Sequence, residues 1–85
     1  DIYSLGCVMY EVFIGKPPFS APTYFELVRQ HIEDAPSREP FAAAAGFSPV
    51  LEALILKCLA KEPAMRYQSA RQIKQELLAV AAGST

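Results

Sequence analysis

The sequence predicts an all-α fold with four main helices, the first of them central and largely apolar. Apolar residues recur at helical spacing in four segments, and capping or stop signals mark most of the segment ends. No stretch alternates polar and apolar residues at the period of a β-strand. With 85 residues, of which 52% are hydrophobic, the chain has the size and composition of one small globular domain at most.

The first predicted helix covers residues 1–14 and is apolar on nearly every side. On a helical wheel only Ser4 and Glu11 fill a polar arc of roughly 100°, and Asp1 stands at the N-cap position. Gly15 and the two prolines that follow it end the helix. A helix with so little polar surface is typical of the interior of a larger body.

The second helix begins at the sequence TYFE, residues 23–26, which is typical of a capping box. Phe25, Val28 and Ile32 form one apolar stripe along it. His31, the single histidine of the chain, is expected to be solvated beside polar neighbours. The residues expected to face water are Glu26, Arg29, Gln30 and Glu33.

Residues 34–46 interrupt the helical pattern and predict an irregular crossing loop, with a short helical turn at 42–45. The third main helix starts at Ser48-Pro49 and ends before Pro63, and the fourth starts at a second capping box, residues 69–72. Residues 83–85 are predicted to be a frayed tail.

Charge and composition exclude several classes of protein. The net charge is −1 without a long run of either sign, which gives no sign of a nucleic-acid partner. No run of 18 apolar residues predicts a membrane span in this segment, and no signal peptide is recognisable. Cys7 and Cys58 are interpreted as buried free thiols, with a disulfide or metal pair as the alternative, so a cytoplasmic protein is expected.

The residues alone show no catalytic, cofactor-binding or metal-binding constellation. Glycine-rich phosphate loops are absent, and no cluster of His, Cys, Asp or Glu has the spacing of metal ligands. Two residues leave alternatives open. Asp1 is either a simple N-cap or a residue with a further role, and Arg66 either faces solvent or belongs to a structural ion pair.

Three motifs occur in order: D-x-Y-S-x-G at residues 1–6, G-K-P-P-F at 15–19 and C-L-A-K-E-P-x-x-R-Y-x-S at 58–69. Together they resemble the C-terminal part of the large lobe, from the F helix to the I helix, of serine/threonine protein kinases of bacterial type. The resemblance covers about residues 1–80, and residues 1–82 are therefore assigned to a partial kinase domain.

The resemblance implies four structural anchors. Asp1 matches the aspartate that binds the backbone of the catalytic loop, and Gly6 matches a glycine of close helix contact. Arg66 matches the arginine that pairs with the glutamate of the APE motif. Tyr3 stands where the family often has Trp, and we expect it to contact Arg66.

The resemblance also implies where the chemistry and the partners lie. ATP and Mg²⁺ would be bound by parts of the domain outside this segment, so the segment alone should be inactive and bind neither. Its first partner would be the N-terminal part of the kinase domain. Protein substrates would meet the second helix, which matches the G helix, on a surface that includes Phe19, Tyr24 and Phe25.

Two alternatives stay open: a standalone helical module that binds other proteins, and the scaffold of a pseudokinase. The kinase interpretation predicts that one flank of the first helix is poorly covered by the rest of the segment. The residues expected on that flank include some of Leu5, Val8, Met9 and Val12.

Overall fold

The structure, a computed structural model, describes residues 1–83, and this part contains five α-helices and no strand. The all-α class is therefore confirmed. A short 3₁₀-helix, Pro63–Met65, precedes the last α-helix. The α-helices are α1 (Ile2–Ile14), α2 (Tyr24–Glu33), α3 (Glu39–Ala43), α4 (Pro49–Cys58) and α5 (Ala70–Ala81).

Helix α3 corrects the prediction for the crossing loop. A helical turn was expected at residues 42–45, but the helix starts earlier, at Glu39, because Pro40 lies in its first turn, where a proline suits the backbone. Of the predicted tail at 83–85, Gly83 is in a turn after α5, and Ser84 and Thr85 lie outside the described residues.

The four main helices begin at the predicted caps. Each cap oxygen accepts a hydrogen bond from the backbone N–H three residues on, which satisfies one of the unpaired donors of the first turn. The donor–acceptor distances are 2.8 Å at Asp1, 3.1 Å at Thr23, 3.2 Å at Ser48 and 3.4 Å at Ser69.

The reciprocal half of each capping box does not form. The Glu26 carboxylate accepts hydrogen bonds from Arg29 instead of from the cap residue, and the Gln72 side chain accepts one from the backbone of Gln68. In each case another donor takes the side chain that the capping box would use: the guanidinium of Arg29 at Glu26, and the backbone N–H of Gln68 at Gln72.

Helices α1 and α4 form the centre of the fold, and their close contact depends on Gly6. A Cβ atom at this position would lie 2.7 Å from Cβ of Cys58 and 3.0 Å from Cδ2 of Leu59. Helix α5 packs on α4 through Ile73. The buried core residues are Met9, Tyr10, Phe41, Leu51, Leu54, Ile55, Cys58, Leu59, Tyr67 and Ile73.

One flank of α1 is exposed, as predicted. Leu5, Val8 and Val12 are 37%, 58% and 70% exposed, and Phe13 is 47% exposed. Met9 was expected among the candidates for this flank but is buried, in the same core cluster as Tyr10.

The faces of α2 differ from the expected pattern. Its apolar stripe is exposed, with Phe25 at 82% and Ile32 at 66%, so the stripe does not pack on the core. Gln30 was expected to face water, but its Oε1 atom is buried and accepts no hydrogen bond from the described residues. The sequence pattern correctly located an apolar face on α2, but it did not show which face of the helix packs against the rest of the protein.

Gly6→Ala should destabilise the protein by about 1–3 kcal/mol, because the new methyl group overlaps Cβ of Cys58 and the side chain of Leu59 and forces the helices apart. Urea unfolding of the full-length protein measures this. Ser4→Ala, an exposed substitution on the same helix, is the matched control and should change stability by less than about 0.5 kcal/mol. Equal effects of the two substitutions would contradict the packing explanation.

Candidate functional site

Five side chains from different segments form an aromatic–cation cluster at the N-terminal end of α1: Tyr3, Phe19, His31, Lys61 and Arg66. Tyr3 projects from the first turn of α1, and His31 from the last turn of α2. The cluster joins these two helices to the connection between α4 and α5.

Arg66 stacks on Tyr3, with its Cζ atom 4.9 Å from the ring centroid, which confirms the contact that the sequence predicted. Its Nε atom donates to the carbonyl of Ala60 at 2.7 Å, and Nη2 donates to that of Lys61 at 3.2 Å. The side chain is half-buried, and no carboxylate of residues 1–83 forms an ion pair with it. Arg66 is therefore a fixed cation, and its predicted ion pair with a glutamate stays a prediction.

His31 is only partly exposed and contacts other side chains, so the expectation of a fully solvated histidine is wrong. Its Nδ1 atom lies 2.6 Å from the hydroxyl oxygen of Tyr3, and its ring meets Phe19 edge-on with the centroids 4.9 Å apart. Burial, and then the charge of Lys61, hold the pKa of His31 below its ordinary value. Sequence reasoning missed this contact because the partners are far apart in the chain; the motif G-K-P-P-F, which brings Phe19 back to α2, was the available signal.

Lys61 caps the C-terminal end of α2, a function that the sequence did not reveal. Its Nζ atom donates to the carbonyl of His31 at 2.8 Å and, at 3.2 Å, to that of Gln30, which also accepts from the backbone N–H of Asp34. The ammonium also lies 4.6 Å from the centroid of Phe19. Burial lowers the pKa of Lys61, and the carboxylate of Asp34 opposes that shift.

Asp1 is exposed and acts as the N-cap of α1, in agreement with one of the two interpretations left open. Gly6 lies at the contact between α1 and α4 described above. The further functions of Asp1 and Gly6 as kinase anchors stay predictions.

The predicted docking surface is only partly exposed. Tyr24 and Phe25 are 81% and 82% exposed, whereas Phe19 is buried inside the aromatic–cation cluster, so its assignment to the surface is wrong. The reason is the double proline before Phe19, after which the chain turns the ring inward toward His31. A shallow groove of about 190 Å³ runs along α2, lined by Phe25, Val28, Arg29, Ile32 and Glu33.

The charged side chains beside this groove pair mainly with one another, within α2 and at its C-terminal end. Arg29 donates to Glu26, Glu33 and Asp34, with its shortest contact at 2.6 Å from a Glu26 oxygen. These hydrogen bonds raise the pKa of Arg29 and lower the pKa values of Glu26 and Asp34. One cation among three carboxylates leaves the rim of the groove acidic.

Residues 1–83 contain no group of three or more His, Cys, Asp or Glu side chains that could hold a metal ion such as Mg²⁺. A cleft of about 620 Å³ is open and is lined by one carboxylate, Glu39, beside Lys16. Cys7 and Cys58 are free thiols, and burial raises the pKa of Cys58 to about 11.

Among the described helices, none has the length and apolarity needed to cross a membrane.

Comparison with known proteins gives a family match over most of the chain. The protein-family model of the protein kinase domain matches residues 1–78 of this chain. Serine/threonine-protein kinase PknB of Mycobacterium tuberculosis is 44% identical over 80 residues, which are 94% of this chain and 13% of that protein. PknB of Mycobacterium leprae is 41% identical over 83 residues, 98% of this chain and 13% of that protein. The chain thus spans about 13% of the length of these curated relatives.

Arg66→Lys should destabilise the protein by about 1–2 kcal/mol, because an ammonium cannot stack on Tyr3 and reach both carbonyl groups as the planar guanidinium does. Thermal unfolding of the full-length protein measures the change. Arg71→Lys, at an exposed position of α5, is the matched control and should have almost no effect. If Arg66→Lys is equally silent, the stacked guanidinium contributes nothing to the fold.

Proposed function

This chain belongs to the protein kinase family, and on that premise we propose that it is the scaffold part of a serine/threonine protein kinase. The whole domain would transfer the γ-phosphoryl group of ATP to a Ser or Thr hydroxyl of a protein, leaving ADP. The names of the similar bacterial proteins and the motif G-K-P-P-F support this substrate class. Residues outside this segment would perform the chemistry.

The exposed flank of α1 is the observation that carries the proposal. Leu5, Val8 and Val12, spaced three and four residues apart, share one exposed side of a helix that also contributes Met9 and Tyr10 to the core of the segment. An exposed apolar stripe of this kind marks a site of contact with other protein. In the proposed domain, the N-terminal part of the kinase would cover it, which makes α1 the central helix of the complete lobe.

Arg66 supports the same arrangement. A half-buried guanidinium is stabilised when a carboxylate accepts its remaining hydrogen bonds, and within residues 1–83 Arg66 donates hydrogen bonds to backbone carbonyl groups. In the proposed domain a glutamate of the activation segment would fill this position. The arginine would then tie that segment to the α4–α5 connection.

ATP and Mg²⁺ would bind in other parts of the kinase domain; this is in keeping with residues 1–83, which contain no cluster of metal-ligating side chains. We place the segment in the cytoplasm, where a kinase meets ATP. The exposed side of α2, with Tyr24, Phe25 and Ile32, would contact protein substrates, because large apolar side chains at the surface are typical anchors of protein interfaces.

Asp1→Ala in the full-length protein should lower kcat on the order of 10²-fold, because the catalytic loop loses a positioning contact. The Kd for ATP should change less than about twofold, since the nucleotide site lies elsewhere. Phosphotransfer and nucleotide titration measure the two quantities.

Asp1→Asn is the matched control for this experiment, because Asn caps a helix as well as Asp does. If both variants lose kcat while Asp1→Asn keeps its stability, the effect is due to the loss of the carboxylate and not to the loss of the helix cap. Equal losses of activity and ATP affinity would indicate general unfolding, and unchanged activity in both would contradict the anchor function.

Phe25→Ala should raise KM for a protein substrate by about tenfold, because an exposed aromatic anchor is lost, and should leave KM for ATP unchanged. Steady-state kinetics with a protein and with a short peptide substrate measure this. Met65→Ala, which removes a side chain 65% exposed outside α2, is the control. An unchanged KM for every protein substrate tested would remove Phe25 from the docking surface.

A further inference from the structure

The groove on α2 has an apolar floor that is open to solvent. Phe25, Val28 and Ile32 follow one another at spacings of three and four residues, so their side chains share one face of the helix. Phe25 and Ile32 are largely exposed, and Val28 is 37% exposed. These side chains offer contact area to a partner, but the identity of that partner depends on the charges along the edge of the groove.

Arg29, the cation among the residues that line the groove, is fully engaged with carboxylates of the chain itself. Its Nη1 atom donates to Glu33 at 3.1 Å and to Asp34 at 3.2 Å, Nη2 donates to Glu26 at 2.6 Å and to Asp34 at 2.9 Å, and Nε donates to Glu26 at 3.0 Å. All the nitrogen atoms of the guanidinium therefore have carboxylate partners. An acidic partner would have to displace one of these carboxylates before it could bind Arg29.

Glu33, in contrast, keeps an acceptor for a partner. Within residues 1–83 its Oε2 atom accepts from Arg29, and its Oε1 atom accepts no hydrogen bond. The side chain is 60% exposed and lines the groove beside Ile32. Because an ionised carboxylate can accept several hydrogen bonds, a cationic donor can bind Oε1 while the pair with Arg29 stays in place.

The charge balance at this edge also favours a basic partner. Three carboxylates and one guanidinium leave an excess of two negative charges; the carboxylates belong to Glu26, Glu33 and Asp34. Lys61 offsets part of the charge of Asp34. Its Nζ atom, however, lies 4.6 Å from the ring centroid of the buried Phe19, on the side of α2 that is attached to the rest of the protein.

From these contacts we propose that the groove on α2 binds a basic amphipathic segment of a partner protein. Aliphatic side chains of that segment lie on Phe25, Val28 and Ile32, and a Lys or Arg beside them binds the carboxylate of Glu33. A second copy of this chain fits less well, because a symmetric contact through the same face would bring two acidic edges together. That the partner is the phosphorylation substrate rests on the docking function proposed above; the binding of a basic segment does not.

Fluorescence anisotropy with the full-length protein and two labelled peptides tests the proposal. Both peptides carry leucines at helical spacing, and the residues beside the leucines are lysines in one peptide and glutamates in the other. At low ionic strength the lysine peptide should bind with a Kd about tenfold lower than that of the glutamate peptide. In about 0.5 M salt the ratio should fall to about threefold or less, because salt screens exposed charges.

Three variants locate the binding site. Glu33→Gln keeps the shape of the side chain but removes its charge, so the ratio of the two Kd values should fall to about threefold. Ile32→Ala removes part of the apolar floor and should weaken both peptides by a similar factor, about fivefold. Glu39→Gln is the matched control, because Glu39 lies beside Lys16, beyond the C-terminal end of α1, and should leave the ratio unchanged.

Equal Kd values of the two peptides for the natural protein overturn the proposal. A preference that Glu33→Gln leaves unchanged, or that Glu39→Gln reduces to the same extent, also overturns it. A preference that depends on Glu33 supports the proposal, whatever effect Phe25→Ala has on the KM for protein substrates. If Phe25→Ala raises that KM but the two peptides bind equally, the docking function of α2 stands and the basic partner is wrong.

Discussion

The contact between α1 and α4 at Gly6 is the constraint on which the other features depend. Because Gly6 has no side chain, the side chains of Cys58 and Leu59 lie directly against the backbone of α1. The chain leaves α4 at this point, so Lys61 and Arg66 come to the end of α1 that carries Tyr3. A wider spacing of the helices would separate the cations from the aromatic rings and leave α2 without its attachment.

The aromatic–cation cluster lets a small number of side chains hold three segments together. Tyr3 contacts Arg66 with its ring and His31 with its hydroxyl, and Lys61 contacts both Phe19 and the end of α2. Each side chain thus has two functions. Such a network requires a specific geometry. If one side chain is lost, the polar groups that it contacted stay half-buried and lack a partner.

Sequence reasoning succeeded where the signals are local and failed where they depend on contacts between distant segments. The helices α1, α2, α4 and α5 and their caps follow from residues within a few positions of each other. The attachments of His31 and Lys61 span 28 and 30 residues, and no periodicity encodes them. Arg29 is a local exception: its contact with Glu26, three residues away, displaced the expected capping box. The contact of Tyr3 with Arg66 was predictable only through the family resemblance.

The state of Arg66 has a consequence for any carboxylate that approaches it. An arginine free in water loses side-chain entropy when it is immobilised, and that loss weakens the ion pair that results. Here two carbonyl groups and the face of Tyr3 already hold the guanidinium in one orientation. The entropy loss occurs when this segment folds, before the carboxylate arrives. Arg66 is in this sense preorganised, which lowers the entropic cost of binding a carboxylate at this position.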